Sequence, residues 1–250
     1  MIVGIIPSRY DSSRFPGKPL IDLHGKTMIQ RVYAQASASK HLDKVVVATD
    51  DQRIFDHVRS FGGDVVMTAS DHPSGTDRCN EALYLLKEKY DYVINIQGDE
   101  PLISPEQIDE LAVLLKDGST ELATQMIPVK TSGELFDNKE VKIVLNTNNE
   151  ALYFSRQPIP FIKDLDESEW HLYHQYYRHV GMYAYRSDVL DKITKLPVSS
   201  LEKAESLEQL RWLENGFKIK CVITKFESLC VDTPGDAEKV IAILTSSPTH

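Results

Sequence analysis

Cysteine is scarce and scattered. Cys79, Cys221 and Cys230 include no CxxC pair, which speaks against zinc ribbons and dithiol redox centres. An odd number of thiols suits a reducing compartment. Long apolar runs are missing as well. No stretch approaches the ~20 apolar residues that cross a bilayer. The opening Met1-Ile2-Val3-Gly4-Ile5-Ile6-Pro7 has neither the basic start nor the apolar core of a signal peptide. Positive charge is in deficit: 28 Lys and Arg face 37 Asp and Glu, for a net charge of -9. That balance argues against a general nucleic-acid binder. The glycine fingerprints GxxxxGK[ST] and GxGxxG are also absent, so a P-loop and a dinucleotide-binding turn are disfavoured. The expectation is a cytoplasmic protein without nucleic-acid or membrane partners.

The composition that remains is that of an ordinary globular chain. Its 250 residues are 42% apolar and 26% charged, enough to bury a core without staples. Ile2 to Ile6 and Val45 to Ala48 are continuous apolar runs, typical of strands buried on both faces. Asp64 to Met67 and Tyr92 to Ile96 read as two more strands. Between them, apolar residues recur at helical spacing: Met28, Ile29, Val32 and Ala36, then Asp51 to Phe61 ending at Gly62-Gly63, then Cys79, Ala82, Leu83 and Leu86. Ile108, Leu111, Ala112 and Leu115 mark a fourth helix. This alternation predicts an α/β fold, three layers with a mostly parallel central sheet. The second half reads differently. Leu122 to Val129, Lys142 to Leu145, Ala151 to Ser155 and Val180 to Tyr185 look like strands with few helices between them. They suggest a more antiparallel half or a dimerisation arm. Ala237, Val240, Ile241 and Leu244 close the chain as a helix. The expectation is one domain, 1–250, with an insertion around residues 156–178.

Three loops draw attention because they follow apolar strands, where open parallel sheets bind ligands. The first, Pro7 to Leu20, sets Arg9, Arg14 and Lys18 against a single acid, Asp11. It is cationic in an acidic protein. Gly17 permits close backbone approach, and prolines stiffen the loop. Such a loop can wrap a triphosphate or can be a solvated surface loop. The second, Gln97-Gly98-Asp99-Glu100-Pro101, puts acids where a hard cation could sit, or where they would simply cap a turn. The third, Ser74-Gly75-Thr76-Asp77-Arg78, suits a helix N-terminus, with Ser74 or Thr76 as its cap. Further on, Thr233-Pro234 after Asp232 reads as an N-cap followed by Pro at the first helical position. Glu208 and Arg211 have the spacing of an ordinary helical ion pair, and His179 beside a strand has the look of a satisfied buried histidine. His171 and His174 lack an evident third metal ligand.

The stretch from Arg9 through Arg14, Pro16, Gly17, Lys18, Pro19 and Leu20 resembles the nucleotide-binding loop of sugar nucleotidyltransferases. It is most similar to the 3-deoxy-manno-octulosonate (Kdo) cytidylyltransferase family. The likeness continues through Ala48 to Asp51, Ser74 to Arg78, Asn95 to Pro101, Ala151 to Arg156, Arg178 to Tyr183, Leu207 to Arg211 and Val231 to Pro234. These blocks fall in the family's order and cover most of the chain. Asp11 and Phe15 depart from the pattern without removing a charged group. The resemblance implies transfer of CMP from CTP to Kdo for lipopolysaccharide synthesis, in a nucleotide-diphospho-sugar transferase-like fold with an inserted dimerisation and sugar-binding region. It also implies Mg2+ and a homodimer.

The resemblance further implies that Asp99 and Asp232 hold the metal and act catalytically with Arg9, Arg14 and Lys18. Pro7, Arg9, Ser12, Arg14, Lys18, Ser74, Arg78 and Gln97 would bind the nucleotide. Arg156, His179, Tyr183, Glu208 and Gln209 would line the sugar pocket. The two acids, far apart in sequence, would have to converge in space. The acidic and aromatic segment Lys163 to Tyr177 leaves room for an analogue such as 8-amino-Kdo. Another acidic sugar, such as sialic acid, is the nearest alternative. A glycosyltransferase fits less well, since Gln97-Gly98-Asp99-Glu100 stands where an Asp-x-Asp element is common. A non-catalytic nucleotide-binding regulator would need neither a sugar pocket nor both acids.

Overall fold

The computed structural model describes residues 1–11, 15–116, 118–227 and 229–246. The chain forms two compact units, Met1–Val113 joined by the segment from Phe226 onward, and Leu114–Lys225.

The first unit is built on four parallel strands: β1 (Ile2–Ser8), β2 (Lys44–Thr49), β3 (Val65–Met67) and β4 (Tyr92–Asn95). Their order is β3-β2-β1-β4. β1 pairs with β2 from Val3 opposite Lys44 to Ser8 opposite Thr49. On its other side β1 pairs with β4 from Ile2 opposite Tyr92 to Ile5 opposite Asn95. Val3, Ile5, Ile6, Val46, Val47, Val93 and Ile94 are fully buried, as continuous apolar runs on doubly covered strands should be. The helices are α1 (Met28–Ser37), α2 (Gln52–Ser60), α3 (Gly75–Leu85) and α4 (Pro105–Val113). Each of the first three starts at a side-chain cap: Thr27, Asp51 and Ser74 accept from the backbone N–H groups of Gln30, Arg53 and Asp77. A typical cap contributes about 1 kcal/mol. α2 stops before Gly62, whose φ of 82° suits a glycine.

Because the strands are parallel, the loops after β1, β2, β3 and β4 emerge at one edge. The chain winds outward from β1 to β2 and β3, then returns to place β4 on the opposite side of β1. Such a reversal opens a crevice between the loops that follow the two strands. The Pro7–Leu20 loop and the Gln97–Pro101 loop flank it.

The final helix, Pro234–Ser246, completes this unit. Its buried Ala237 and Val240 join Leu23, Met28 and Val231 in one apolar cluster, with Phe15, Leu102 and Leu229 against it. Thr233 Oγ1 accepts from the Asp236 backbone N–H at 3.3 Å, and Asp236 accepts in return from the Thr233 N–H at 3.1 Å. The Thr233 cap expected from the sequence is therefore present.

The second unit has β5 (Leu122–Pro128), α5 (Ser132–Phe136), β6 (Lys142–Leu145), β7 (Ala151–Ser155), α6 (Trp170–Tyr173), β8 (Tyr177–Arg186), α7 (Ser187–Ile193), α8 (Ser200–Glu205), α9 (Glu208–Glu214) and β9 (Ile219–Ile223). β5–β8, β6–β7 and β6–β8 are antiparallel, as expected. Between these strands lie only the short helices α5 and α6, as expected, while α7, α8 and α9 come after β8. The half is more antiparallel, as expected, and β9, outside the expected strands, runs parallel to β5 from Leu122 opposite Ile219. The segment around 156–178 is anchored by Trp170 and Tyr176, which pack with Val129 and Leu135. Trp170 Nε1 donates to the Leu165 carbonyl at 3.1 Å and the Tyr176 hydroxyl to the Pro160 carbonyl at 2.7 Å.

Candidate active site

A cavity of ≈ 390 Å³ occupies the crevice, lined among others by Pro7, Arg9, Lys18, Arg78, Gln97 and Asp99. The turn at Gly17 shapes its wall. Gly17 has φ 74° and donates its N–H to the Tyr10 carbonyl at 2.8 Å. A Cβ there would meet the Tyr10 ring at 3.0 Å, so both backbone angle and space require glycine. The Arg53 guanidinium covers that same ring, 3.3 Å from its centroid. Gly98 is constrained by space alone, since a Cβ would come within 2.8 Å of the Pro7 carbonyl oxygen.

Lys18 sits where the two candidate metal acids meet. Its Nζ donates to Asp99 Oδ2 at 2.8 Å, to Asp232 Oδ1 at 3.3 Å and to the Val231 carbonyl at 3.1 Å. Burial opposes its charge, but Asp99 and Asp232 outweigh that cost and raise its pKa. It is a firm cation. The Val231 N–H donates to the Asp99 carbonyl at 2.9 Å. This backbone tie, backed by the buried Val231 side chain, brings the distant Asp232 beside Asp99. Ligand atoms of Asp99, Cys230 and Asp232 all lie within 4.8 Å of one another.

The far wall carries a second cation. The Arg78 side chain is fully buried and lies 3.2 Å from Asp50 Oδ2. Its Nη1 donates to Thr68 Oγ1 at 2.5 Å. Burial lowers its pKa, and Asp50 works against that shift. Arg9 is steered by a neighbouring chain of contacts: its Nη2 donates to the His72 carbonyl, and the His72 ring bonds Glu81. Ser74 both caps α3 and donates to Asp77 Oδ2 at 2.6 Å. Ser12 and Arg14 lie outside the described residues.

The five residues expected on the sugar side all belong to the second unit. His179 Nε2 lies 2.9 Å from Thr124 Oγ1, with the ring between Phe154 and Tyr183 at centroid distances of 5.3 and 5.1 Å. Desolvation pushes its pKa down to about 3, so the ring is neutral. Tyr183 stacks against Tyr185 and meets the edge of Trp212; burial drives its phenol pKa well up. Its hydroxyl is buried without a hydrogen bond of normal geometry among the described residues. Gln209 is buried and Glu208 half-buried. Glu208 does pair with Arg211, at 3.3 Å, as the i,i+3 spacing suggested. Arg156 Nε donates to the Glu205 carbonyl at 2.8 Å.

Comparison with known proteins decides the family. Residues 3–219 match the model of the cytidylyltransferase family. A 3-deoxy-manno-octulosonate cytidylyltransferase of Parabacteroides distasonis is 54% identical over 248 residues, 98% of each chain. The chain belongs to the cytidylyltransferase family. An 8-amino-3,8-dideoxy-manno-octulosonate cytidylyltransferase of Shewanella frigidimarina is 49% identical over 94% of this chain and 95% of its own. The solved structure of a CMP:2-keto-3-deoxy-manno-octonic acid synthetase complexed with CTP is 43% identical, with a TM-score of 0.90 over 98% of both chains. The α/β architecture with a mostly parallel sheet expected from the sequence is therefore that of a family member. Among the described residues, no helix is long and apolar enough to cross a membrane.

Sequence reasoning passed over four residues at or beside this site. Asp50 was legible only as part of a matching block, although an acid directly after a buried strand was a usable signal. Cys230, two positions before Asp232, gives no local sign beyond its thiol. His72 and Glu81, which hold Arg9, gave no local sign of their role.

Proposed function

We propose that this chain transfers CMP from CTP to Kdo, releasing CMP-Kdo and pyrophosphate, as a cytoplasmic step towards lipopolysaccharide. The observation that carries the reading is the meeting of Asp99 and Asp232 around one cation, at a cavity walled by Arg9, Lys18 and Arg78. Nucleotidyl transfer requires such neutralisation and positioning more than covalent help from the protein. The 54% identity to a Kdo cytidylyltransferase supports the choice of sugar.

In the proposed reaction the anomeric 2-hydroxyl of Kdo attacks the α-phosphorus of CTP in line. A new oxygen–phosphorus bond forms, the bond to the β-phosphate breaks, and its electron pair leaves with pyrophosphate. The proton of the attacking hydroxyl passes to solvent. Asp99 and Asp232 offer hard oxygen donors already arranged about a positive charge, and this donor set fits Mg2+. When bound, Mg2+ supplies charge neutralisation at the phosphates and eases ionisation of the attacking hydroxyl. Lys18 and Arg9, with Arg14 by family resemblance, meet the charge of the triphosphate. Arg78, steadied by Asp50, and Ser74, Gln97 and the Pro7 backbone address the nucleoside. Ser12 takes its nucleotide role from the resemblance alone. On the sugar side, Arg156 is assigned the carboxylate, and His179, Tyr183, Glu208 and Gln209 the hydroxyls. The buried Tyr183 hydroxyl is a group that a sugar oxygen could satisfy.

A homodimer belongs to the same proposal. Phe161, Leu172 and Tyr173 are 72%, 69% and 70% exposed within one short segment of the second unit, which suits a covered apolar face. Light scattering should give twice the 28.3 kDa chain mass, and a monomer mass would contradict it.

The reaction is tested by pyrophosphate release with CTP and Mg2+ across Kdo, 8-amino-Kdo, sialic acid and no sugar. Release should require CTP and Kdo and stop with EDTA. Release with 8-amino-Kdo alone would keep the chemistry and move the substrate to that of the Shewanella relative. Silence with every sugar from a folded, CTP-binding protein would overturn the proposal.

A further inference from the structure

The loop after β1 is held from outside by a side chain of α2. Arg53, in the first turn of that helix, is braced by the helix cap Asp51. Its Nε donates to Asp51 Oδ1 at 3.0 Å and its Nη2 to Asp51 Oδ2 at 2.6 Å. A fork bonded in its own plane presents its flat face for stacking. That face lies over the Tyr10 ring, 3.3 Å from the centroid. The hydroxyl end of the ring lies against Gly17, where a Cβ would meet it at 3.0 Å.

Tyr10 and Gly17 form the neck of the loop. The Gly17 N–H donates to the Tyr10 carbonyl at 2.8 Å, so the outgoing and returning chains meet there. Both described cations of the loop flank this neck. Arg9 stands one residue before Tyr10 and Lys18 one residue after Gly17. Gly17 also caps the single helical turn Lys18–Leu20, from which Lys18 reaches Asp99 and Asp232 at 2.8 and 3.3 Å. A shift of the neck therefore moves both cations. A neck that has to be ordered when an anion binds subtracts that cost from affinity, and a neck already clamped does not. A cation stacked on a ring at an exposed site is worth a factor of about two to five.

We propose that Arg53 and Tyr10 are positioning residues for the triphosphate: Arg53, braced by Asp51, clamps the Tyr10 ring, and the ring holds the loop neck with Arg9 and Lys18 set before nucleotide arrives. This rests on the reading of the loop as the triphosphate site. Arg53 acts through Tyr10 and makes no phosphate contact of its own.

The test is calorimetric titration of the full chain with CTP, and separately with CMP, in Mg2+ and without sugar. The Arg53 side chain is 57% exposed, so Arg53→Gln leaves the apolar core intact, and urea denaturation checks each variant for folding. Arg53→Gln should weaken CTP roughly threefold, and Tyr10→Leu at least as much. CMP, which lacks the β- and γ-phosphates, should bind both variants as it binds the unsubstituted chain. Tyr10→Phe keeps the ring and should recover most of the affinity lost in Tyr10→Leu. The double variant Arg53→Gln with Tyr10→Leu should bind CTP no more weakly than Tyr10→Leu alone. A further threefold loss in the double variant would overturn the proposal, because Arg53 would then meet the phosphates directly. Unchanged CTP affinity in folded Arg53→Gln would also overturn it and leave the proposed reaction standing. Failure of the unsubstituted chain to bind CTP would instead overturn the nucleotide reading, and the clamp with it.

Discussion

The backbone N–H of Val231 donates to the carbonyl of Asp99 at 2.9 Å, and that bond joins two segments far apart in the chain at one point. It follows from a buried apolar cluster in which Val231, Leu23, Met28 and Val240 are all fully enclosed. Packing thus places the segment, the hydrogen bond sets its register, and Asp232 arrives beside Asp99 as a consequence. The site's geometry depends on residues that never touch a substrate.

Leu23→Ala tests that dependence. Removing a fully buried leucine side chain costs about 2–5 kcal/mol where the surroundings cannot collapse. Urea denaturation should show a loss in that range. The proposed magnesium requirement should rise with it, because the cluster that seats Val231 loosens. An unchanged unfolding midpoint would contradict this account of how Asp232 is positioned.

Asp50→Asn tests the far wall. Arg78 is fully buried and Asp50 is its carboxylate partner. Removing one member of a buried pair leaves an uncompensated charge, at a cost of about 3 kcal/mol. The expected outcome is lower stability together with a higher KM for CTP, while Asp50→Glu restores part of both. A variant with normal KM and normal stability would show that Arg78 needs no partner.

His179 makes stability depend on pH. Its folded pKa lies at about 3 because burial disfavours the charged ring, whereas an unfolded histidine titrates near ~6.5. Between those values the unfolded chain holds more protons, so stability falls as pH drops through the window. The slope for one such group is on the order of 1.4 kcal/mol per pH unit. His179→Gln removes the group, so the stability gap between the two proteins should shrink from about pH 7 to about pH 5. A gap that does not change with pH would contradict the desolvated, neutral ring.

Much of the first unit was legible because its signals are local. The runs Ile2 to Ile6 and Val45 to Ala48 announce doubly buried strands, and Thr233-Pro234 announces a helix start. The second unit was less so. β9 is a short stretch with a single lysine, Lys220, and becomes a strand by pairing with β5, a long-range choice. The antiparallel register of β5 and β8 shifts between Thr124 and Gln125, where the Thr124 hydroxyl engages Val180 and Met182 carbonyls. No nearby residue predicts that. In the site, the charges of the first loop could be read directly, and the meeting of Asp99 with Asp232 followed from resemblance. The closeness of Cys230, the Asp50–Arg78 pair and the His72–Glu81 contact arise from folding and leave little local trace.

The most direct test of the central claim is turnover of Asp99→Asn and Asp232→Asn, measured as pyrophosphate release from CTP and Kdo with Mg2+. Each substitution keeps size and removes a charge. The account predicts a fall of at least roughly a hundredfold in each, the scale of losing one preorganised electrostatic contact. Near-normal turnover in both folded variants would contradict it.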